Sequence, residues 1–293
     1  TERDDGSVRF PTEAIYFDTQ AGPTLARMRN VYGERYANRE PRILPFAERL
    51  KGYDLIHTWE LFPDWSAQAI DAKHRYGARV VTTVWDLLPF NMEAQPHHRA
   101  NKQAVAGATD RFIVYTERSR RTLHMEGIAD DRIAYVPPGV DTDLFDRRAA
   151  QLPEEAFVIL CVGWFLPRKG IDFLLAAVRD CIDRGVTRPI KLVMVGAGAG
   201  RDRVEGLVRR FGLGEQCVFT GAQPYNAMPN WFRCCDVFVL PSIATDTWQE
   251  QFGMSLIEAM ACGKPAIASL SGAIEEIAGD AALLVQPNDF MAL

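Results

Sequence analysis

Residues Glu250 to Pro265 read EQFGMSLIEAMACGKP. Two carboxylates, Glu250 and Glu258, stand eight residues apart. Phe252-Gly253 opens an apolar helical run, and Gly263-Lys264-Pro265 closes it, as a glycine followed by a proline closes many helices. A loop carboxylate followed by a helix start suits a sugar attached to a diphosphate. The first N–H groups of a helix have no intrahelical acceptor and sit at the positive end of its dipole, so an anion fits there. A carboxylate accepts hydrogen bonds from vicinal hydroxyls, which hexoses and riboses both carry. The plainer alternative is a solvated loop Glu followed by a Glu on a polar helix face.

Outward from this stretch, short apolar strands alternate with helical segments, the pattern of parallel sheets covered by helices. Phe157–Val162 is a continuous apolar run, as in a strand buried on both faces. Further strands are expected at Lys191–Val195, Cys217–Thr220, Val237–Leu240, Ala266–Ser269 and Ala282–Val285. Helices are expected at Ile171–Arg184, Arg203–Phe211, Tyr225–Cys235 and Gly253–Cys262. In the first half, strands are expected at Ala14–Phe17, Leu55–Thr58, Val80–Trp85, Phe112–Tyr115 and Ile133–Val136. Helices fall near Thr24–Tyr36, Ser66–Arg75 and Ser119–Glu126. Pro137–Leu152, with two prolines and several polar residues, reads as a linker. The expected architecture is α/β, with two Rossmann-like doubly wound domains facing a cleft: residues 1–145 and 146–293. The start at Thr1 and the end at Leu293 within a helix start read as a piece of a longer chain.

With 293 residues, 47% hydrophobic and 24% charged, the composition is that of a globular protein large enough for two cores. A net charge of −5 argues against a nucleic-acid partner. No apolar run approaches the roughly 20 residues of a membrane span. The opening TERDDGSVRFP lacks a signal peptide's apolar stretch. The six cysteines form no Cys-x-x-Cys pair and read as buried reduced thiols, so a cytoplasmic protein is expected.

Several other segments carry chemistry. GWFLPRKG, Gly163 to Gly170, follows a strand and precedes a helix, placing a flexible backbone and the cation of Lys169 where a phosphate would sit. VGAGAG, Val195 to Gly200, suggests a dinucleotide fingerprint, but Arg201 stands where a third glycine is needed and no acidic ribose partner follows. Thr220 to Phe232 resembles a glycosyltransferase segment that lies beside the nucleobase, which implies Gly221, Gln223 and Tyr225 as base contacts; the alternative is a turn without a ligand. HTWE (His57 to Glu60) and TVWDLLPF (Thr83 to Phe90) end strands at the expected cleft edge. His57 reads as structural, and the resemblance to glycosyltransferases described below implies Asp86 as the better acceptor contact there. His97 and His98 sit in a polar stretch without metal-ligand company and are expected to face solvent. Arg27 to Arg42, with Tyr32 and Tyr36, reads as a solvated helix face diluted by Glu34 and Glu40. The second reading is contact with an anionic membrane at its inner face.

From about Asp54 to Asp289 the chain resembles the retaining GT-B glycosyltransferases that use nucleotide-sugar donors (glycosyl transferases group 1, family 4-like) and carry a Glu-x7-Glu signature. Pro241-Ser242 ahead of Glu250, FG inside the motif, EAM-x-CGKP behind it and PPGVDTDLF (Pro137 to Phe145) carry the likeness. The family's opening strand with its Gly-rich loop, and its closing helices, are not found. The resemblance implies that Glu250 contacts the donor sugar, that Glu258 contacts the ribose, and that backbone from Phe252 through Gly253, Met254, Ser255 and Leu256 contacts the diphosphate. Gly163, Arg168 and Lys169 would adjoin that diphosphate, with Gly221 and Tyr225 near the base. Trp164 stands where the family has Arg, and Trp85 where many members have His.

The resemblance implies retaining, metal-independent transfer of a sugar from a nucleoside diphosphate sugar, UDP- or GDP-linked, with no cofactor. Glu250, Lys169 and Asp86 are the expected catalytic residues. The acceptor would be a hydroxyl of a glycan, lipid carrier or small molecule, as in polysaccharide biosynthesis. A second reading, motivated by Trp164 and Trp85, is a non-catalytic nucleotide-sugar binder or the assembly partner of an active transferase. Phosphorolysis and sugar-nucleotide epimerisation fit less well, since no lysine motif for a phosphorylase cofactor is present.

Overall fold

The computed structural model describes residues 45–148 and 155–293, so the strand expected at Ala14–Phe17, the helix near Thr24–Tyr36 and the basic segment Arg27 to Arg42 lie outside the described residues. The first sheet takes β1 (Leu55–Trp59), β2 (Arg79–Val84), β3 (Arg111–Val114) and β4 (Ile133–Tyr135) in that order. All pairs are parallel, with Leu55 opposite Arg79 and Val81 opposite Arg111. The crossovers carry α1 (Asp64–Tyr76), α2 (Pro96–Ala108) and α3 (Glu117–Met125). Ile56, Val80, Phe112, Val114 and Leu123 pack one core.

The second sheet contains β5 (Phe157–Val162), β6 (Ile190–Val195), β7 (Cys217–Gly221), β8 (Val237–Leu240), β9 (Ala266–Ser269) and β10 (Leu283–Val285), ordered β10-β9-β8-β5-β6-β7 and all parallel. Its helices are α4 (Ile171–Asp183), α5 (Arg201–Arg210), α6 (Met228–Arg233), α7 (Met254–Ala261) and α8 (Ile274–Ala278). The continuous apolar reading of β5 has its cause in two cores. Val158 and Leu160 join Phe232, Phe238 and Leu256 on one face. Ile159 and Cys161 join Leu174, Leu192 and Val204 on the other. Phe145, at the end of the linker motif, is fully buried in the first of these cores.

Three expectations need correction. His97 and His98 are not in a solvent-facing stretch. They lie in α2, where His97 is half-buried and His98 is buried, its Nδ1 3.2 Å from Met92 O. The buried residues of α2 are His98, Lys102 and Val105, so its core stripe is largely polar and an apolar periodicity cannot reveal it. The helix expected at Tyr225–Cys235 is a 3₁₀ turn at Tyr225–Ala227 followed by a short α6 whose first turn holds Pro229, which presets φ but supplies no N–H. Among the cysteines only Cys161, Cys235 and Cys262 are buried, and Cys181 is exposed on α4.

Candidate active site

The order of the second sheet fixes where a ligand can bind. From β5 the chain runs outward to β6 and β7, then returns to β8 on the other flank of β5. The loops leaving the carboxyl ends of β5 and β8 therefore diverge and leave a crevice, the usual ligand position in such sheets. An apolar cavity of about 630 Å³ lies elsewhere, against Phe157, Ile190 and Cys181 near the amino ends of β5 and β6.

The β5 loop carries Gly163, Trp164 and a 3₁₀ turn Pro167–Lys169. The β8 loop carries Pro241, Ser242 and, further on, Glu250. Gly170 has φ 66°, and a Cβ on it would lie 1.8 Å from Pro241 O, so only glycine lets the loops touch. Ile243 N–H donates to Arg168 O at 2.8 Å and ties them further. This contact brings together residues 81 apart in sequence: Lys169 Nζ donates to Glu250 Oε2 at 2.6 Å. Ser242 Oγ donates to the same oxygen at 2.6 Å. Glu250 is only 7% exposed, and two donors to one oxygen compensate its burial. Its backbone is gripped from behind, where Ala273 N–H donates to Glu250 O at 2.9 Å. A Cβ on Gly272 would lie 2.2 Å from that carbonyl.

Trp248, which the motif reading passed over, holds the cations in place. Arg168 Cζ lies 4.6 Å and Lys169 Nζ 4.9 Å from its ring centroid, both within cation–π range. Trp164, expected to replace an arginine of the family, is 66% exposed.

α7 begins at Met254, with Gly253 as its cap at φ 80° and no side-chain capping bond. The amides of Met254 and Ser255 fall in the turn where no intrahelical carbonyl is available. Leu256 departs from the expectation: its N–H donates to Gly253 O at 2.8 Å and its side chain is fully buried. Phe252 is buried, its ring centroid 6.5 Å from that of Tyr115 in the first sheet's domain. Glu258, one turn into α7, is 7% exposed, and burial pushes its carboxyl up to about 7.

Asp86 follows β2 at the facing edge. Its carboxylate accepts from Leu88 N–H at 3.1 Å and Asn91 Nδ2 at 2.8 Å, and burial raises its pKa. Asn91 Nδ2 also donates to Thr247 O at 3.1 Å, beside Trp248. A chain of polar contacts thus crosses from Asp86 to the β8 loop. A second bridge lies at α3, whose first amides, Glu117 and Arg118, donate to the two carboxylate oxygens of Glu276 at 2.6 and 3.3 Å. His57 Nε2 lies 2.7 Å from Thr83 Oγ1. Trp85 packs edge-on to Tyr115 at 4.2 Å. Glu60 is the second residue that the motif reading passed over, and burial together with the Asp86 charge pushes it up to about 8. Its one sequence signal is its place at the end of β1.

The candidate base contacts are spread out. Gly221 ends β7 with φ 75°, Tyr225 packs against Phe145 at 5.3 Å, and Gln223 Nε2 donates to Thr220 O at 2.9 Å. The VGAGAG glycines serve packing. Cβ atoms on Gly196 and Gly200 would meet Gly163 O at 1.9 Å and Phe165 O at 2.3 Å. They seat this loop against the β5 loop, so the fingerprint has a structural cause. No group of three His, Cys, Asp or Glu able to hold a metal occurs among the described residues. No helix among them is long and apolar enough to cross a membrane.

The family model for glycosyl transferases group 1 matches residues 143–293, and that for glycosyltransferase family 4 matches residues 6–144. A D-inositol 3-phosphate glycosyltransferase of Catenulispora acidiphila is 32% identical over 78% of this chain and 57% of its own length. A namesake from Thermomonospora curvata is 30% identical over 81% of this chain and 61% of its own. The chain thus spans under two thirds of these relatives. Among solved structures, Anabaena HepE in complex with UDP and glucose superposes with a TM-score of 0.71 at 20% identity, over 84% of this chain and 67% of that one. The sucrose-phosphate synthase of Thermosynechococcus elongatus gives 0.69 at 26% identity, over 94% and 68%. With its two parallel sheets, the matching family models and these likenesses, the chain belongs to the glycosyl transferases group 1 family and has the GT-B fold.

Proposed function

We propose that this chain transfers a sugar from a nucleoside diphosphate sugar to a hydroxyl acceptor, with retention and without a metal or cofactor. One observation carries the reading. At the crevice between β5 and β8, a buried carboxylate, an ammonium and the open end of a helix converge. Glu250 orients the sugar hydroxyls through its second oxygen, and Glu258 receives the ribose. Lys169 has three donors, one of them engaged by Glu250, and faces the diphosphate with the Met254 and Ser255 amides. The acceptor oxygen attacks the anomeric carbon on the face that the diphosphate leaves. The anomeric C–O bond to phosphate breaks, a new C–O bond forms, and the acceptor proton passes to the departing phosphate. Lys169 and α7 stabilise the charge growing on that group.

UDP is the favoured nucleotide, because HepE, on the same fold, is described with UDP and glucose. The name of the Catenulispora relative makes a phosphorylated cyclitol a first acceptor to try, beside glycans, lipid carriers and small molecules. The family's place in polysaccharide biosynthesis at the cytoplasmic face of a membrane is the proposed setting. The test is thermal unfolding with UDP, GDP, ADP and their glucose conjugates. A ligand at about 100 times its Kd adds roughly 2.7 kcal/mol. A UDP-selective shift, lost in Glu258→Ala, supports the site. A shift with UDP-glucose but no turnover on any acceptor would favour the non-catalytic reading that exposed Trp164 motivates.

A further inference from the structure

Among the described residues, the first sheet's cleft edge carries more carboxylate than its cations offset. Glu60 directly follows β1 and Asp86 follows β2, on neighbouring parallel strands, so both sit at one edge. Glu60 is held there by its own backbone and side chain. Its N–H donates to Thr83 O at 2.8 Å, and its Oε1 accepts from Trp85 N–H at 2.9 Å. The Asp86 amide also hydrogen-bonds its carboxyl. The grip holds Glu60 at φ 62°, a left-handed conformation that side chains other than glycine seldom adopt and that clusters at functional sites.

Among the described residues the one buried cation nearby is Lys102 on α2, and it is already committed. It meets Glu126, which caps the end of α3, in a short contact, Glu93 at 3.3 Å and Asn91 O at 3.2 Å. Arg99, largely exposed, meets Glu93 at 3.5 Å. The imidazoles nearby have polar partners, Thr83 for His57 and Met92 O for His98. Glu93 and Glu126 thus take up the Lys102 ammonium, which reaches Glu60 and Asp86 only through its longer-range field. Two carboxylates at one part-buried edge, with no cation in contact among the described residues, are unfavourable when both are charged, and such pairs retain a proton. The raised titration of Glu60, driven by burial and then by Asp86, agrees with this count.

We propose that Glu60 is a positioning residue whose carboxyl clamps the Trp85–Asp86 backbone and keeps its own proton, so that Asp86 is the charged carboxylate presented to an acceptor hydroxyl. The choice of ligand rests on the glycosyl-transfer reading, whereas the proton on Glu60 and the clamp do not.

The experiment is a carbon-13 NMR titration of side-chain carboxyls in the ligand-free chain, for wild type, Glu60→Gln, Glu60→Ala and Asp86→Asn. One glutamate signal should titrate near 8, vanish in Glu60→Gln, and move down by about one pH unit in Asp86→Asn as the like charge is removed. Glu60→Gln, which keeps an oxygen for the amides, should leave the Asp86 signal in place, and Glu60→Ala should shift it. The proposal is overturned if the glutamate signal that Glu60→Gln removes titrates below about pH 6 in the wild type, if Asp86→Asn leaves the Glu60 midpoint unmoved, or if Glu60→Ala lowers stability without moving Asp86. UDP stabilisation is recorded on wild type and Glu60→Gln in parallel. Its absence from both would sink the glycosyl-transfer reading and leave the titration result standing.

Discussion

Lys169 Nζ and Glu250 Oε2 meet at 2.6 Å across the loops that leave β5 and β8, with Trp248 lying over the lysine. The pair joins the group placed to hold a sugar to the group placed to hold a diphosphate. It is largely buried, the lysine side chain keeping 19% exposure and the glutamate 9%. Removing one partner of a buried pair leaves the other charge uncompensated, which costs about 3 kcal/mol or more.

Lys169→Met keeps the aliphatic stem over Trp248 and removes the charge. It should lower Tm by several degrees, about 2–4 °C per kcal/mol for a domain of this size, and remove the UDP response. Glu250→Gln should keep the UDP response and lose the extra shift given by UDP-glucose, because the nucleotide reading places only the sugar on Glu250. Equal responses to UDP and UDP-glucose in wild type and Glu250→Gln would show that Glu250 does not touch the sugar.

Glu258 makes the chain's stability depend on pH with a defined sign. Burial raises its carboxyl from 4.5 to about 7. Between those values the folded state keeps a proton that the unfolded state has released, so stability falls as pH rises through the window. The contribution is fully present below 4.5 and lost above about 7, and amounts to roughly 3 kcal/mol at 1.36 kcal/mol per pH unit. Glu258→Gln should therefore gain on the wild type from pH 4.5 to 7 and hold that gain above it. Denaturant melts at three pH values measure this, and a constant difference would contradict it. If ribose hydroxyls donate to the carboxylate, UDP should bind wild type more tightly at pH 8 than at pH 6.

The second sheet was legible in the sequence because its strands are short apolar runs bounded by glycine and proline, and because the Glu250–Glu258 motif marks one side of the switch point. What sequence reading passed over has a common cause, polar residues placed by tertiary contact. α2 buries His98 and Lys102 on its core stripe, so no apolar period announces it. Lys102 is buried because Glu93 and Glu126, from other segments, converge on it. Trp248 stands in none of the motifs, and its role depends on Arg168 and Lys169 arriving from the β5 loop. Leu256 was taken as a phosphate contact from its place in the motif, but the tight first turn of α7 uses its amide.

Gly196 separates packing from cofactor binding in VGAGAG. It has φ 147°, and a Cβ on it would lie 1.9 Å from Gly163 O, part of a backbone that cannot give way cheaply. Gly196→Ala should destabilise the chain by more than the roughly 1 kcal/mol of an ordinary glycine replacement and displace the β5 loop, weakening the UDP response. NAD and NADP should give no thermal shift in wild type. A shift with either would restore the dinucleotide reading that the packing of these glycines argues against.

Glu276 makes a bidentate contact from one sheet's domain to the other. Its oxygens accept the Glu117 and Arg118 amides at 2.6 and 3.3 Å, at the positive end of α3. Arg118 Nη1 adds a bond to Gln249 Oε1 at 3.4 Å, next to Trp248 and Glu250. Exposed carboxylates at helix starts contribute about 0.3–1 kcal/mol, so Glu276→Ala should leave Tm nearly unchanged. Its effect should appear locally, as faster hydrogen exchange at the Glu117 and Arg118 amides, with slower exchange retained in the β5 and β6 core. UDP binding should survive, because the nucleotide groups all belong to the second sheet's domain. Unchanged exchange at those two amides would mean that the contact is sparsely populated in solution and that the cleft stands open until a donor and an acceptor close it.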